Sequence, residues 1–245
     1  MKTLEIGEAI GQIFRITFAN FLPFMLLGGV CLSPYLGLTL WQSAFVVDPE
    51  APVLPNPLEA VGVTLLGWFL YFLLLFVVNG AISYGVFQHL CGKKAALGDC
   101  VAVGFRRLFP VLGVAIVSGF VVFLGYIALI VPGIILYVMF YVAVPVAVVE
   151  NAGVGTALRR SQELTANLRW RVFAVIFVLG AINGVITLPL TFSFAFAPLH
   201  VAAVLQWIGV VFGAVIQAVG MAVVYYQLRS AKELFNVDEI ASVFA

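Results

Sequence analysis

Residues 110–149 read PVLGVAIVSGFVVFLGYIALIVPGIILYVMFYVAVPVAVV, without one Asp, Glu, Lys or Arg. A bilayer core of about 30 Å takes roughly 20 apolar residues in helix, so this stretch has room for two crossings. Val131-Pro132-Gly133 divides it and leaves space only for a tight hairpin. Arg106 and Arg107 stand before it, Arg159 and Arg160 after it. A hairpin returns to the face it left, so both pairs of bases belong on one side.

The same reading extends along the chain. Apolar stretches at about 18–41, 60–88, 110–131, 133–149, 172–197 and 200–228 predict six transmembrane helices. Composition agrees: the 245 residues are 64% hydrophobic and 9% charged, with a mean hydropathy of +1.17. A soluble domain is nearer about 25% charged. The chain reads as one all-α, polytopic domain, 1–245.

All twelve bases fall in four segments, 1–17, 89–109, 150–171 and 229–245. The intervening loop 42–59 has three acids, four prolines and no base, and the turns at 132 and 198 have none. Lys and Arg near span ends mark the cytoplasmic side. Both termini are therefore expected in the cytoplasm, with 229–245 as a cytoplasmic tail. Trp41 and Trp207 then fall near the outer interface and Trp170 near the inner one, while Trp68 sits deeper. Glu5 and Glu8 interrupt the N-terminus, which does not read as a cleavable signal. Cys31, Cys91 and Cys100 are scattered, with none in an outer loop, and predict neither disulfide nor metal site.

The basic segments carry helical patterning. Ile6, Ile10, Ile13, Phe14 and Thr17 make one face of 4–18, against Glu5, Glu8, Gln12 and Arg15. In 97–108 the stripe is Leu97, Cys100, Val101, Gly104, Phe105 and Leu108; in 154–168 Val154, Leu158 and Thr165 alternate with Arg159, Gln162 and Glu163. Such helices lie in the membrane interface, apolar side down. Ile6-Gly7-Glu8-Ala9-Ile10 aligns with Leu97-Gly98-Asp99-Cys100-Val101 and with Val154-Gly155-Thr156-Ala157-Leu158. Ala19-Asn20-Phe21 likewise matches Ala166-Asn167-Leu168. Each stretch precedes a span pair, so a parallel threefold repeat is expected, over 1–88, 89–149 and 150–228.

Several motifs occur together in the second half: the Val-Pro-Gly turn, Glu150 ending a span, Ala157-Leu158-Arg159-Arg160-Ser161, Leu164-Thr165, and Tyr225-Tyr226-Gln227-Leu228-Arg229. This half resembles the membrane domain fused to some bacterial glycerophosphoryl diester phosphodiesterases and its stand-alone relatives. The first half agrees mainly in layout. The resemblance implies a bacterial inner-membrane location. It departs at Gln162, where the family often has Trp. It implies no hydrolysis, because the catalytic barrel of those enzymes is not part of these residues.

Catalysis is not expected. His89 and His200, the only histidines, are placed at opposite membrane faces and cannot share a metal or act as a pair. HExxH, GxSxG and P-loop motifs are absent. No cofactor is implied, and a net charge of +1 without a basic tail points to no nucleic-acid partner.

The polar motif with chemical content is Glu150, Arg159, Arg160 and Glu163, which with Arg106 and Arg107 forms the candidate anion or lipid-headgroup surface. Arg159 and Arg160 lie four and three residues before Glu163, so both can meet it on a helix, and arginine forks suit phosphate. The same residues equally serve to pin a helix to the span ends. Within the spans, Asn79, Asn183 and Gln217 are candidate interior polar groups, expected to bond between helices. Gly180-x-x-x-Gly184 and Gly209-x-x-x-Gly213 are expected to permit close packing, and Pro145 and Pro189 to break helices. No span centre carries a charge, which argues against proton coupling.

The expected function is binding or movement of lipids or amphiphiles, with anionic headgroups as partners. A membrane scaffold or accessory subunit of an exporter or envelope-biosynthesis complex, with a protein partner, is the alternative. A channel or secondary transporter is the third. The topology is tested by reporter fusions: one after Glu50 reports outside and one after Ala245 inside, and the opposite signs refute the assignment.

Overall fold

The structure, a computed structural model, describes residues 5–47, 57–90 and 97–243. Lys2, Cys91, Lys93, Lys94 and residues 48–56 of the 42–59 loop lie outside the described residues, as does the side chain of Trp41. The described residues hold ten α-helices and no strand: α1 (Ile6–Ala19), α2 (Phe21–Val47), α3 (Pro57–Leu90), α4 (Leu97–Arg106), α5 (Leu108–Ala128), α6 (Ile130–Phe140), α7 (Ala143–Val149), α8 (Val154–Thr165), α9 (Arg169–Phe192) and α10 (Leu199–Val243). Six segments are long and apolar enough to cross a membrane: Phe21–Leu40, Val61–Leu90, Leu108–Ala128, Ile130–Val149, Arg169–Phe192 and Leu199–Lys232. The chain is thus an all-helical, multi-pass membrane protein by length and composition.

Helix α10 is the axle. It packs against α2, α3, α9 and α1, and 61% of its span is buried against 17% for α3, α5 and α9. Ala214, Val215, Ala218, Val219, Ala222, Val223, Tyr225 and Leu228 are buried around most of its circumference, as expected of a helix apolar on every side. Small side chains make this possible, because lipid exerts no hydrophobic squeeze and packing must come from close approach. α10 also runs on to Val243, so 229–243 of the expected tail is helical and continuous with the last span.

The short helices turn one side inward. Ala9, Ile13, Ile16 and Thr17 of α1 are buried, largely on α10, and Ala157, Leu158, Ser161, Leu164 and Thr165 of α8 are buried among α5, α6, α7 and α10. Their inner ridges therefore pack on protein. Two asparagines punctuate α8: Asn151 (φ 54°) follows α7 and Asn167 (φ 67°) follows α8. Both take the left-handed conformation that closes helices and that Asn tolerates better than most residues.

Prolines differ in effect. The 133–149 segment is interrupted at Tyr141 and Val142, four and three residues before Pro145, where a proline ring meets the carbonyl four residues back. Pro189 and Pro34 instead stay inside continuous helices. At Pro34 the Val30 carbonyl, deprived of its helical donor, accepts the Ser33 hydroxyl at 2.8 Å. At the α6–α7 break the Met139 carbonyl accepts the Ser161 hydroxyl at 2.7 Å and that of Thr165 at 3.5 Å. Such local repair is what tolerates broken helices in lipid.

The tight turn falls earlier than the sequence suggests. Leu129 alone links α5 to α6, and Pro132 and Gly133 sit in the first turn of α6. A one-residue link demands close backbones. A Cβ on Gly133 would lie 2.9 Å from the Tyr126 nitrogen, and one on Gly125 3.0 Å from the Gly133 Cα. Of the two glycine pairs, Gly209 and Gly213 make the close approach, against Leu190 and Asn183 of α9, whereas Gly180 and Gly184 face open space. Gly133→Ala should therefore lower stability by about 1–3 kcal/mol. Gly184→Ala should be neutral or stabilise by up to about 1 kcal/mol. Thermal unfolding in detergent checks both.

Candidate functional site

Glu150 ends α7, with its N–H bonded to the Val146 oxygen at 2.9 Å. The left-handed turn at Asn151 then sends α8 back beside α7, which brings Arg160 within reach. Arg160 Nε lies 3.6 Å from Glu150 Oε2, with the two side chains 33% and 23% exposed. The Tyr225 hydroxyl donates to Glu150 Oε1 at 2.8 Å, and Arg229 Nη1 donates to Tyr225 Oη at 3.0 Å. Tyr225 and Arg229 share a face of α10, one turn apart. Both carboxylate oxygens are thus engaged, and α7, α8 and α10 are joined through one half-buried acid.

A second layer lies outside it. Arg159 Nε donates to Glu163 Oε1 at 3.0 Å, with side chains 83% and 49% exposed. Exposed pairs at this spacing contribute only about 0.3–0.5 kcal/mol. Lys232 Nζ donates to the main-chain oxygen of Glu163. The six charged groups are four bases (Arg159, Arg160, Arg229, Lys232) and two acids (Glu150, Glu163), a formal excess of +2. Glu150, Gly155, Thr156, Arg159, Arg160 and Glu163 line a cleft of about 500 Å³. Gly155 faces open space there.

Four expected residues therefore come together: Arg159 pairs with Glu163 as its spacing predicts, while Arg160 turns to Glu150. Arg106 and Arg107, at the α4–α5 junction, are not among the residues lining this cleft. Tyr225, Arg229, Lys232 and Thr156 join the site without having been singled out as site residues from sequence. The signal for the first two was an i, i+4 Tyr/Arg pair on the last span, at the same basic end as Glu150.

The interior polar groups do not form one cluster. Gln217 Nε2 meets the Tyr137 hydroxyl at 3.5 Å, one of the expected interhelical bonds. Asn183 abuts Gly213 of α10, and its Oδ1 has no partner. Asn79 is buried on α3, also with an unpartnered Oδ1. Among the described residues no group of His, Cys, Asp or Glu is arranged to hold a metal ion. Comparison with family models, curated proteins and solved structures finds no match to this chain.

Tyr225→Phe leaves one oxygen of half-buried Glu150 without its donor and should cost about 1–3 kcal/mol. Glu150→Gln should cost a comparable amount. Because both remove parts of one network, the double variant should fall short of the sum of the singles. Additive losses in thermal unfolding would show that Tyr225 and Glu150 are not coupled.

Proposed function

We propose that this chain is a non-enzymatic bacterial inner-membrane protein that binds anionic amphiphiles, membrane lipids foremost, at its cytoplasmic end and helps to move them. The observation that carries the reading is the open cleft at Arg159 and Arg160. Its two acids are already engaged by its two arginines, and Arg229 and Lys232 bring the surrounding network to the +2 excess that suits a phosphate. Arg159 keeps guanidinium donors beyond the one given to Glu163, and the Thr156 hydroxyl lines the same cleft. An arginine fork and a hydroxyl are ordinary partners of a phosphate ester. In this reading α1, α4 and α8 form a threefold, basic-bearing collar at the cytoplasmic interface. The order of short helix followed by two long segments, which occurs three times, supports it. The resemblance to the phosphodiesterase-associated membrane domain is part of the same proposal and contributes no activity.

A membrane scaffold is the second reading. It draws support from α10, which at 45 residues is about 68 Å long at 1.5 Å per residue and so exceeds any bilayer core. A helix that long offers a partner a handle outside the membrane.

Arg159→Ala tests the first reading most cleanly, because its exposed side chain contributes little to stability. It should reduce retention of phosphatidylglycerol in native mass spectrometry by roughly tenfold, the loss of one charge-assisted phosphate contact. Elution and thermal midpoint should not change. Unaltered retention, together with a stoichiometric crosslinked protein partner, would favour the scaffold.

A further inference from the structure

A groove between α6 and α9 lies where a simple two-crossing path for 108–149 does not put it. Val131, Ile134, Ile135 and Val138, one face of α6, line it together with Arg169, Trp170 and Phe173 in the first turns of α9. If α6 and α9 crossed the bilayer side by side in opposite directions, Val131 would stand near Leu190. That is about 30 Å along α9 from Arg169. The helix leading into α9 points the same way. Ser161 and Thr165 both reach the Met139 carbonyl, halfway along the α6–α7 path. Val131 and the Met139 carbonyl thus both lie close to the entry of α9, where an antiparallel crossing would place only the Glu150 end of the path.

The tip of the hairpin is a second, independent observation. Leu129, Ile130 and Val131 are 68%, 69% and 65% exposed, and residues 126–135, Tyr-Ile-Ala-Leu-Ile-Val-Pro-Gly-Ile-Ile, contain no charge and only one polar group. The 48–56 loop, by contrast, carries Asp48, Glu50 and Asn56. A turn this apolar is at home among acyl chains and not in water. Along α5, Ile116, Phe120, Phe123 and Ile127 also face outward. Arg169 supplies the polar end of the groove, and no acid among the described residues pairs with it.

We propose that α5 and α6 lie in the leaflet on the basic side as an embedded hairpin instead of crossing, and that the α6–α9 groove seats one anionic phospholipid of that leaflet. An acyl chain follows the Val131–Val138 stripe beside Phe173, and the phosphate sits on Arg169 at the level of Trp170. The groove, about 330 Å³, is at the small end of ligand pockets, enough for one chain and not for a whole lipid. Trp and Arg at headgroup depth with an apolar stripe below match the layering of a leaflet. This site rests on the lipid-binding reading but uses none of the residues of the Arg159 cleft.

Two measurements on the full chain test it. A single cysteine at Leu129 in a cysteine-free background should resist a membrane-impermeant maleimide applied to the face opposite the basic end, while Ala51→Cys reacts there. A nitroxide at position 129 should report a depth within the basic-side leaflet. Labelling of position 129 from the far face overturns the hairpin. In native mass spectrometry, Arg169→Ala and the groove-filling Ile135→Trp should each lower phosphatidylglycerol retention by roughly tenfold. Arg169→Lys should keep part of it. Unchanged retention in these variants, with Arg159→Ala still defective, overturns the groove and leaves the first reading standing. Unchanged retention in all four overturns both. Monodisperse elution and an unaltered thermal midpoint exclude misfolding as the cause.

Discussion

At the α6–α7 break a main-chain carbonyl in a lipid-embedded protein has to find a partner, and much of the basic end is arranged around the answer. A broken helix in hydrocarbon costs several kcal/mol for each polar group left bare. Here the Met139 carbonyl takes the Ser161 hydroxyl. That single contact holds α8 against the segment that precedes it. With α8 held, Arg160 faces Glu150, Glu150 faces Tyr225, and Tyr225 faces Arg229. The break therefore provides the corner from which the charged network is hung.

The network divides into two kinds of residue. Glu150, Arg160, Tyr225 and Arg229 are half-buried or buried and are linked to one another, so their first effect is to fix three helices. Removing one partner of such a set leaves another desolvated and unpaired, which is why it is costly to break. Arg159 and Glu163 are exposed, cost little to disturb, and keep unused hydrogen-bonding capacity. An anchoring role and the proposed binding role need not compete for the same residues: the inner layer sets the geometry, and the outer layer is the part left open to a ligand.

How much of this was readable beforehand depends on the range of each interaction. Six apolar segments were legible because span length is a local property of about 20 residues, and their ends fell within a few residues of expectation. The break before Pro145 was legible for the same reason: a proline acts on the carbonyl four residues back. Glu150 with Tyr225, 75 residues apart, was not, because nothing in either neighbourhood encodes the other. The glycine pairs show the limit most clearly. Gly180-x-x-x-Gly184 and Gly209-x-x-x-Gly213 are equivalent as motifs, yet only the second faces a helix. A spacing states that a smooth surface exists; which helix covers it depends on how the whole bundle is rotated.

The hairpin of α5 and α6 extends that lesson to topology. Hydropathy and the placement of bases constrain only where a segment begins and ends relative to the two faces. An apolar stretch that leaves the basic side and returns to it satisfies both rules whether it crosses twice or not at all. What separates the two paths is depth, and the proposed hairpin rests on two contacts: Val131 shares a groove with Arg169 and Trp170, and Thr165 reaches Met139. A hairpin held in one leaflet also gives a physical reason for the wholly apolar turn at Leu129, which a crossing would push into water. It would place a broad apolar wedge beside a charged network with a formal excess of +2, so that the acyl chains and the phosphate of the same lipid layer would meet complementary surfaces on one side of the protein.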